Sequence, residues 1–108
     1  FDEGMAEKFR AALTRREVAV RDFFDIDYAV RKQGLDPKDS TFIKLVLEKL
    51  AIPGNDEVDL SEIRQNLLRR QLDSHLRPVL RPCDFDEFNI DKALRTVTEV
   101  AERLGEGS

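Results

Sequence analysis

Tryptophan is absent from this chain of 108 residues, and cysteine, histidine, methionine and tyrosine each occur once. A single cysteine, Cys83, closes no disulfide within the chain, which fits a reducing compartment. No apolar run approaches the roughly 20 residues that span a bilayer, and the N-terminus lacks the basic, apolar and small-residue order of a signal peptide. The expectation is a cytoplasmic domain with no membrane partner. Only five glycines and four prolines are present, so long stretches of turn chemistry are excluded. What is abundant is charge: 37% of residues, against roughly 25% in an ordinary globular domain, which points to exposed helix faces. With 41% apolar residues the chain is too hydrophobic for disorder and long enough for one compact domain, not two. It begins at Phe1 without an initiator methionine and is expected to be part of a longer protein.

The net charge of -4 conceals alternating blocks. Residues 8–35 carry seven cations against four anions, and residues 63–83 five cations against one, within an otherwise acidic chain. Such blocks read as solvated helix faces or as a phosphate- or RNA-facing surface.

Helical spacing dominates the apolar pattern. Met5, Phe9 and Leu13, with Ala6 and Ala12, predict a helix over 3–16. Ala19, Phe23, Ile26 and Val30 predict a second, following almost without punctuation and stopped by Gly34. Asp36 and Pro37 read as the start of a third, carried by Ile43, Val46, Leu47 and Leu50 and ended at Ile52-Pro53-Gly54-Asn55. Asp59 and Glu62 have the spacing of a capping box for a fourth, with Leu60, Ile63, Leu67, Leu68, Leu72, Leu76 and Val79, which Pro78 and Pro82 end or kink. Residues 82–86 read as a connector. Ile90, Leu94, Val97, Ala101 and Leu104 predict a fifth helix ended by Gly105, with 106–108 a frayed tail. The fold class is all-α, a single compact domain of about five helices.

The densest polar feature is Arg21-Asp22-Phe23-Phe24-Asp25-Ile26-Asp27-Tyr28. On a helix Asp22 and Asp25 share a face while Asp27 lies well round from Asp25, so Asp25 and Asp27 make a poor metal clamp; paired acids two apart point together on a strand, not here. Arg21 and Asp25, four apart, suit a surface ion pair. Alternatively Lys8, on the preceding helix, joins the two acids in a polar site. His75, Cys83, Asp84 and Asp86 lie close in sequence, but structural zinc uses four ligands of Cys or His type and there is one of each. They read as a surface histidine and a half-buried thiol, and no metal site is assigned. Arg64, Arg69, Arg70, Arg77 and Arg81 either edge a solvated helix or hold an RNA acceptor.

The string Ala6-Glu7-Lys8-Phe9-Arg10-Ala11-Ala12-Leu13, a basic gap at Arg15-Arg16, then Arg21-Asp22-Phe23-Phe24-Asp25 resembles the C-terminal motifs of the abortive-infection nucleotidyltransferase toxins of the AbiEii type. The match is strong over residues 3–33, with Phe24 where the family often has Tyr, and beyond them rests on helicity alone. The resemblance implies that residues 1–108 are the helical C-terminal domain of a larger polymerase-beta-like nucleotidyltransferase, the toxin of a toxin-antitoxin pair. The N-terminal α/β half, with a Gly-Ser motif and a strand-borne Asp-x-Asp holding magnesium, is absent from these residues. By the same resemblance Lys8, Asp22 and Asp25 are catalytic, and Lys8 and Arg21 bind the nucleotide. Magnesium and a nucleoside triphosphate belong to the full-length parent and none is held by this fragment, which is expected to be inert alone. The implied partners are the missing half, an RNA acceptor such as tRNA, and an antitoxin. The rival reading is a non-enzymatic helical interaction module, in which charge blocks and leucine stripes serve partner binding; separately, Phe1, Met5 and Phe9 are candidates for apolar surface left exposed by removal of the other half.

Overall fold

Burial follows the helical stripes. The computed structural model describes residues 2–14, 17–55 and 57–106, and the helices among them are α1 (Asp2–Thr14), α2 (Val20–Lys32), α3 (Ser40–Leu50), α4 (Glu62–Gln71), the short α5 (Pro82–Glu87) and α6 (Ile90–Glu106). The five long ones are those the apolar spacing predicts, and no strand occurs among the described residues. Arg15, Arg16, Phe1, Gly107 and Ser108 lie outside the described residues, so the expected last turn of the first helix, the basic gap and the tail end are not placed.

α1 buries Met5, Ala6, Phe9, Ala12 and Leu13, and Asp2 and Glu3 in its first turn complement the positive end of the helix dipole. Met5 and Phe9 are 8% and 0% exposed, so these two do not contribute to an exposed apolar patch: α3 packs against α1, with the Phe9 and Phe42 rings edge to face at 5.4 Å. α2 turns back against α1 and presents Val20, Phe23, Ile26 and Ala29 to the same core. It stops at Gly34, whose φ of 74° lets Leu35 fold back so that its N–H donates to Ala29 O at 3.1 Å. α6 completes the core with Ile90, Ala93, Leu94, Val97, Val100 and Leu104 and runs one residue beyond Gly105.

Several ends differ from the sequence expectation, and at the starts of α3 and α4 a nearer donor takes the expected cap. Asp39, not Asp36, caps α3 by accepting from the Phe42 N–H at 3.0 Å; Asp36 accepts from Lys38 N–H at 2.9 Å and makes the turn before it. Ser61, not Asp59, caps α4, while Asp59 accepts from Ser61 N–H at 2.9 Å. Past Gln71 the helix widens into a π turn, Leu72–Leu76, in which Arg77 N–H reaches back to Leu72 O, and then narrows to a 3₁₀ turn ending at Val79. Pro78 explains the break, since it brings no N–H and its ring crowds the preceding turn. Pro82 does not merely sit in a connector: it occupies the first turn of α5, where its missing donor costs nothing.

Candidate functional site

Three residues from two helices meet on one spot. Lys8 projects from the middle of α1, and Asp22 and Asp25, three apart in the first half of α2, share the face turned toward it. Lys8 Nζ stands 3.0 Å from Asp25 Oδ2 and 3.7 Å from Asp22 Oδ1. Arg21 Nε, four residues before Asp25, lies 3.4 Å from Asp25 Oδ1, as the spacing predicts. The cluster thus pairs two cations with two carboxylates. Its members differ in access: the Asp22 side chain is only 5% exposed, Asp25 24% and Lys8 40%. Asp22 also sits in the first turn of α2, where the helix dipole favours an anion. A buried carboxylate of this kind persists only when neighbours compensate it. The ammonium has three donors, and its exposure leaves room for a further anion to approach from solvent.

Asp27 belongs elsewhere, as helical phase requires: it pairs with Arg31 at 2.7 Å, and Arg31 in turn reaches Glu87 of α5 at 3.2 Å. Phe24 packs between Tyr28 and the edge of Phe88, at 5.8 and 5.6 Å, and fixes the far side of the same helix.

Beside the cluster runs a groove of about 940 Å³. One wall is the link 17–19 with Val20 and Arg21; the other is a row on α4 and its continuation, Ile63, Leu67, Gln71, His75 and Val79, spaced by four. Ile63, Leu67 and Val79 are among the most exposed large apolar residues, at 76%, 43% and 61%. Arg21 lines the groove and touches Asp25, so groove and cluster adjoin.

Four of the five arginines between residues 63 and 83 are engaged within the molecule, and Arg70 is exposed. Arg64 is buried and donates from Nη2 to Ala12 O at 3.0 Å. Arg69 pairs with Asp91 at 2.7 Å, Arg77 with Asp73 at 2.9 Å while its guanidinium lies 4.2 Å from the Phe85 ring centre, and Arg81 with Asp84 at 2.9 Å. The Asp84 carboxylate holds the Arg81 guanidinium above its ordinary pKa, chiefly by hydrogen bonding. His75 contacts Ser74, 2.7 Å from Oγ to Nδ1, and Cys83 is exposed, not half-buried. Among the described residues no three His, Cys, Asp or Glu side chains are grouped to hold a metal ion, and no helix is long and apolar enough to cross a membrane.

Sequence reasoning named Lys8, Arg21, Asp22 and Asp25 and missed the residues that fix their frame. Gln71 Nε2 donates to Val18 O at 2.9 Å and its Oε1 accepts from Val20 N–H at 2.8 Å; Asp59 N–H donates to Leu13 O at 2.9 Å. These bonds span 46 to 53 positions and leave no local pattern.

Comparison with known proteins adds one finding. The family described as nucleotidyl transferase AbiEii toxin, type IV toxin-antitoxin system, matches residues 1–100, which extends well past the motif block at 3–33 into every later helix. No curated protein and no solved structure matches the chain.

Proposed function

The chain belongs to the nucleotidyl transferase AbiEii toxin family of a type IV toxin-antitoxin system, and from that premise we propose that residues 1–108 form one wall of its nucleotide cleft. The reading is carried by one observation: Lys8 on α1 stands within 3.7 Å of both Asp22 and Asp25 on α2, fourteen and seventeen positions later in the chain. In this reading Lys8 meets the phosphates of a nucleoside triphosphate as a compact, strongly hydrated point charge. Asp25, at 3.0 Å, and the buried Asp22 aim the ammonium, and Arg21 steadies Asp25 from the other side. A positioned cation stabilises charge that builds on a transferring phosphate without reorganising at the moment of reaction.

Nucleotidyl transfer in such enzymes also calls for magnesium, which would supply Lewis-acid charge to the transferring phosphate. The carboxylates here do not fit that ion, because both already face the Lys8 ammonium and Asp25 also faces Arg21. We therefore place the metal ligands in an N-terminal α/β half, and an antitoxin, an RNA acceptor and a cytoplasmic setting belong to the same proposal. The pairing of Arg69, Arg77 and Arg81 with aspartates makes the fourth helical segment less available to RNA than its composition suggests.

The test is made in the complete toxin. Lys8→Ala and Asp22→Asn should each abolish growth arrest while far-UV circular dichroism stays helical; arrest retained by both would overturn the proposal. Incubated with magnesium, labelled nucleoside triphosphates and RNA, the 108-residue chain alone should transfer no label.

A further inference from the structure

The distance from Lys8 to Asp25 depends on how α2 is set against α1, and the described part of the link between them, 17–19, gives α2 no side-chain cap. Ala19, the residue that begins α2, makes no side-chain cap. Its neighbours are held instead by the carboxamide of Gln71, the last residue of α4, which bonds the Val18 carbonyl and the Val20 N–H together, much as a paired strand would. The end of α1 is held from the same stretch of chain, where Asp59 N–H meets Leu13 O and Arg64 meets Ala12 O. One segment, 59–71, thus grips both sides of the joint. Val20 stands two residues before Asp22, and Ala12 stands one turn after Lys8.

We propose that Gln71 is the positioning residue of the cluster, setting through Val18 and Val20 the register of α2 that brings Asp22 and Asp25 to Lys8. The proposal rests on the reading of that cluster as the functional site. Glutamine is the side chain the joint calls for. Glutamate would keep the bond from Val20 but turn an acceptor on the Val18 carbonyl, methionine fills the space with neither bond, and asparagine is shorter by one methylene. A bond lost here leaves a backbone group without its protein partner at the point where the helix begins.

The experiment reads the geometry directly. In the 108-residue chain, nitrogen and carbon NMR signals of the Lys8 ammonium and the Asp25 carboxyl are compared between wild type, Gln71→Met and a control, Val97→Ala, which opens a cavity in α6 away from the joint. Gln71→Met should shift both signals in the folded state, whereas Val97→Ala should lower stability and leave them in place. Should Gln71→Met fail to fold, Gln71→Glu serves. Near neutral pH it should shift the Lys8 signal. As the pH falls toward about 5, burial against the Val18 carbonyl favours a proton on the new carboxyl, which restores the missing donor and moves the signal back. Lys8 and Asp25 signals that ignore both substitutions, or a Lys8 signal that shifts equally in Val97→Ala, would overturn the proposal. Growth arrest retained by Lys8→Ala would instead overturn the reading of the site, and the spectra would be unaffected by that result.

Discussion

Replacing Lys8 with Met while keeping its length should expose how strongly the ammonium is bound. Exposed ion pairs contribute about 0.2–1 kcal/mol, and breaking a buried one costs about 3–5 kcal/mol. Lys8 and Asp25 fall between those limits, with side chains 40% and 24% exposed and a separation of 3.0 Å. A coupling of about 1 kcal/mol is expected from a double-mutant cycle of Lys8→Met with Asp25→Asn. The single Lys8→Met variant should lose more, about 2 kcal/mol, because the nearly buried Asp22 carboxylate also loses its ammonium at 3.7 Å. In a domain of this size that is a fall in Tm of roughly 8–16 °C. Urea unfolding followed by circular dichroism measures all four corners of the cycle. Added salt should weaken the Asp25 coupling more than the Asp22 coupling, since Asp22 is the more shielded from solvent. A coupling below about 0.3 kcal/mol, within the range of independent sites, would mean that the ammonium is held by water and orients nothing.

Three further outcomes follow from the packing and the caps. Phe9→Ala removes a fully buried ring from between α1 and α3 and should cost about 3–5 kcal/mol in urea unfolding. Gly34→Ala should cost about 1 kcal/mol although open space surrounds the position, because φ is 74° there; a neutral result in thermal unfolding would contradict a strained turn. The Asp59 carboxyl is held below its ordinary value first by the Ser61 N–H, then by the Ser61 side chain and Arg64. A carboxyl with a lowered folded pKa contributes stability above its unfolded pKa and loses it as the pH falls through the folded one. A carbon NMR titration should therefore place Asp59 below its ordinary value, and Ser61→Ala, which keeps the backbone N–H and removes the hydroxyl, should move it only part of the way back up.

The helices were legible because stripes such as Ile90, Leu94, Val97 and Leu104 repeat at helical spacing, and that spacing alone decides which face is buried. Their starts were less so. Asp36 and Asp39 both carry a capping side chain, and only the turn through Pro37 determines that the second one caps. A site of Lys8, Asp22 and Asp25 was one of two readings the residues allowed and the family resemblance singled it out, since a separation of fourteen positions does not of itself bring a lysine to an aspartate. Phe9 and Met5 looked like an exposed patch because their cover, Phe42 on α3, comes more than thirty positions later. The role of Gln71 was hidden for the same reason, and Arg64 read as a solvated edge when it is buried: a side chain that bonds backbone some fifty residues away leaves no mark on its neighbours.

The wide turn at Leu72–Leu76 also bears on how relatives of this chain should be compared. A hydrogen bond from Arg77 back to Leu72 encloses one residue more than an ordinary helical turn. A relative that lacks one residue there can close the turn as regular helix and still present Leu68 and Leu76 to the core on either side of it. Two such chains share every contact yet fall out of step by one position between Gln71 and Pro78. An alignment that forbids gaps inside helices would then pair His75 with the wrong residue, and the groove would look variable where it is only offset.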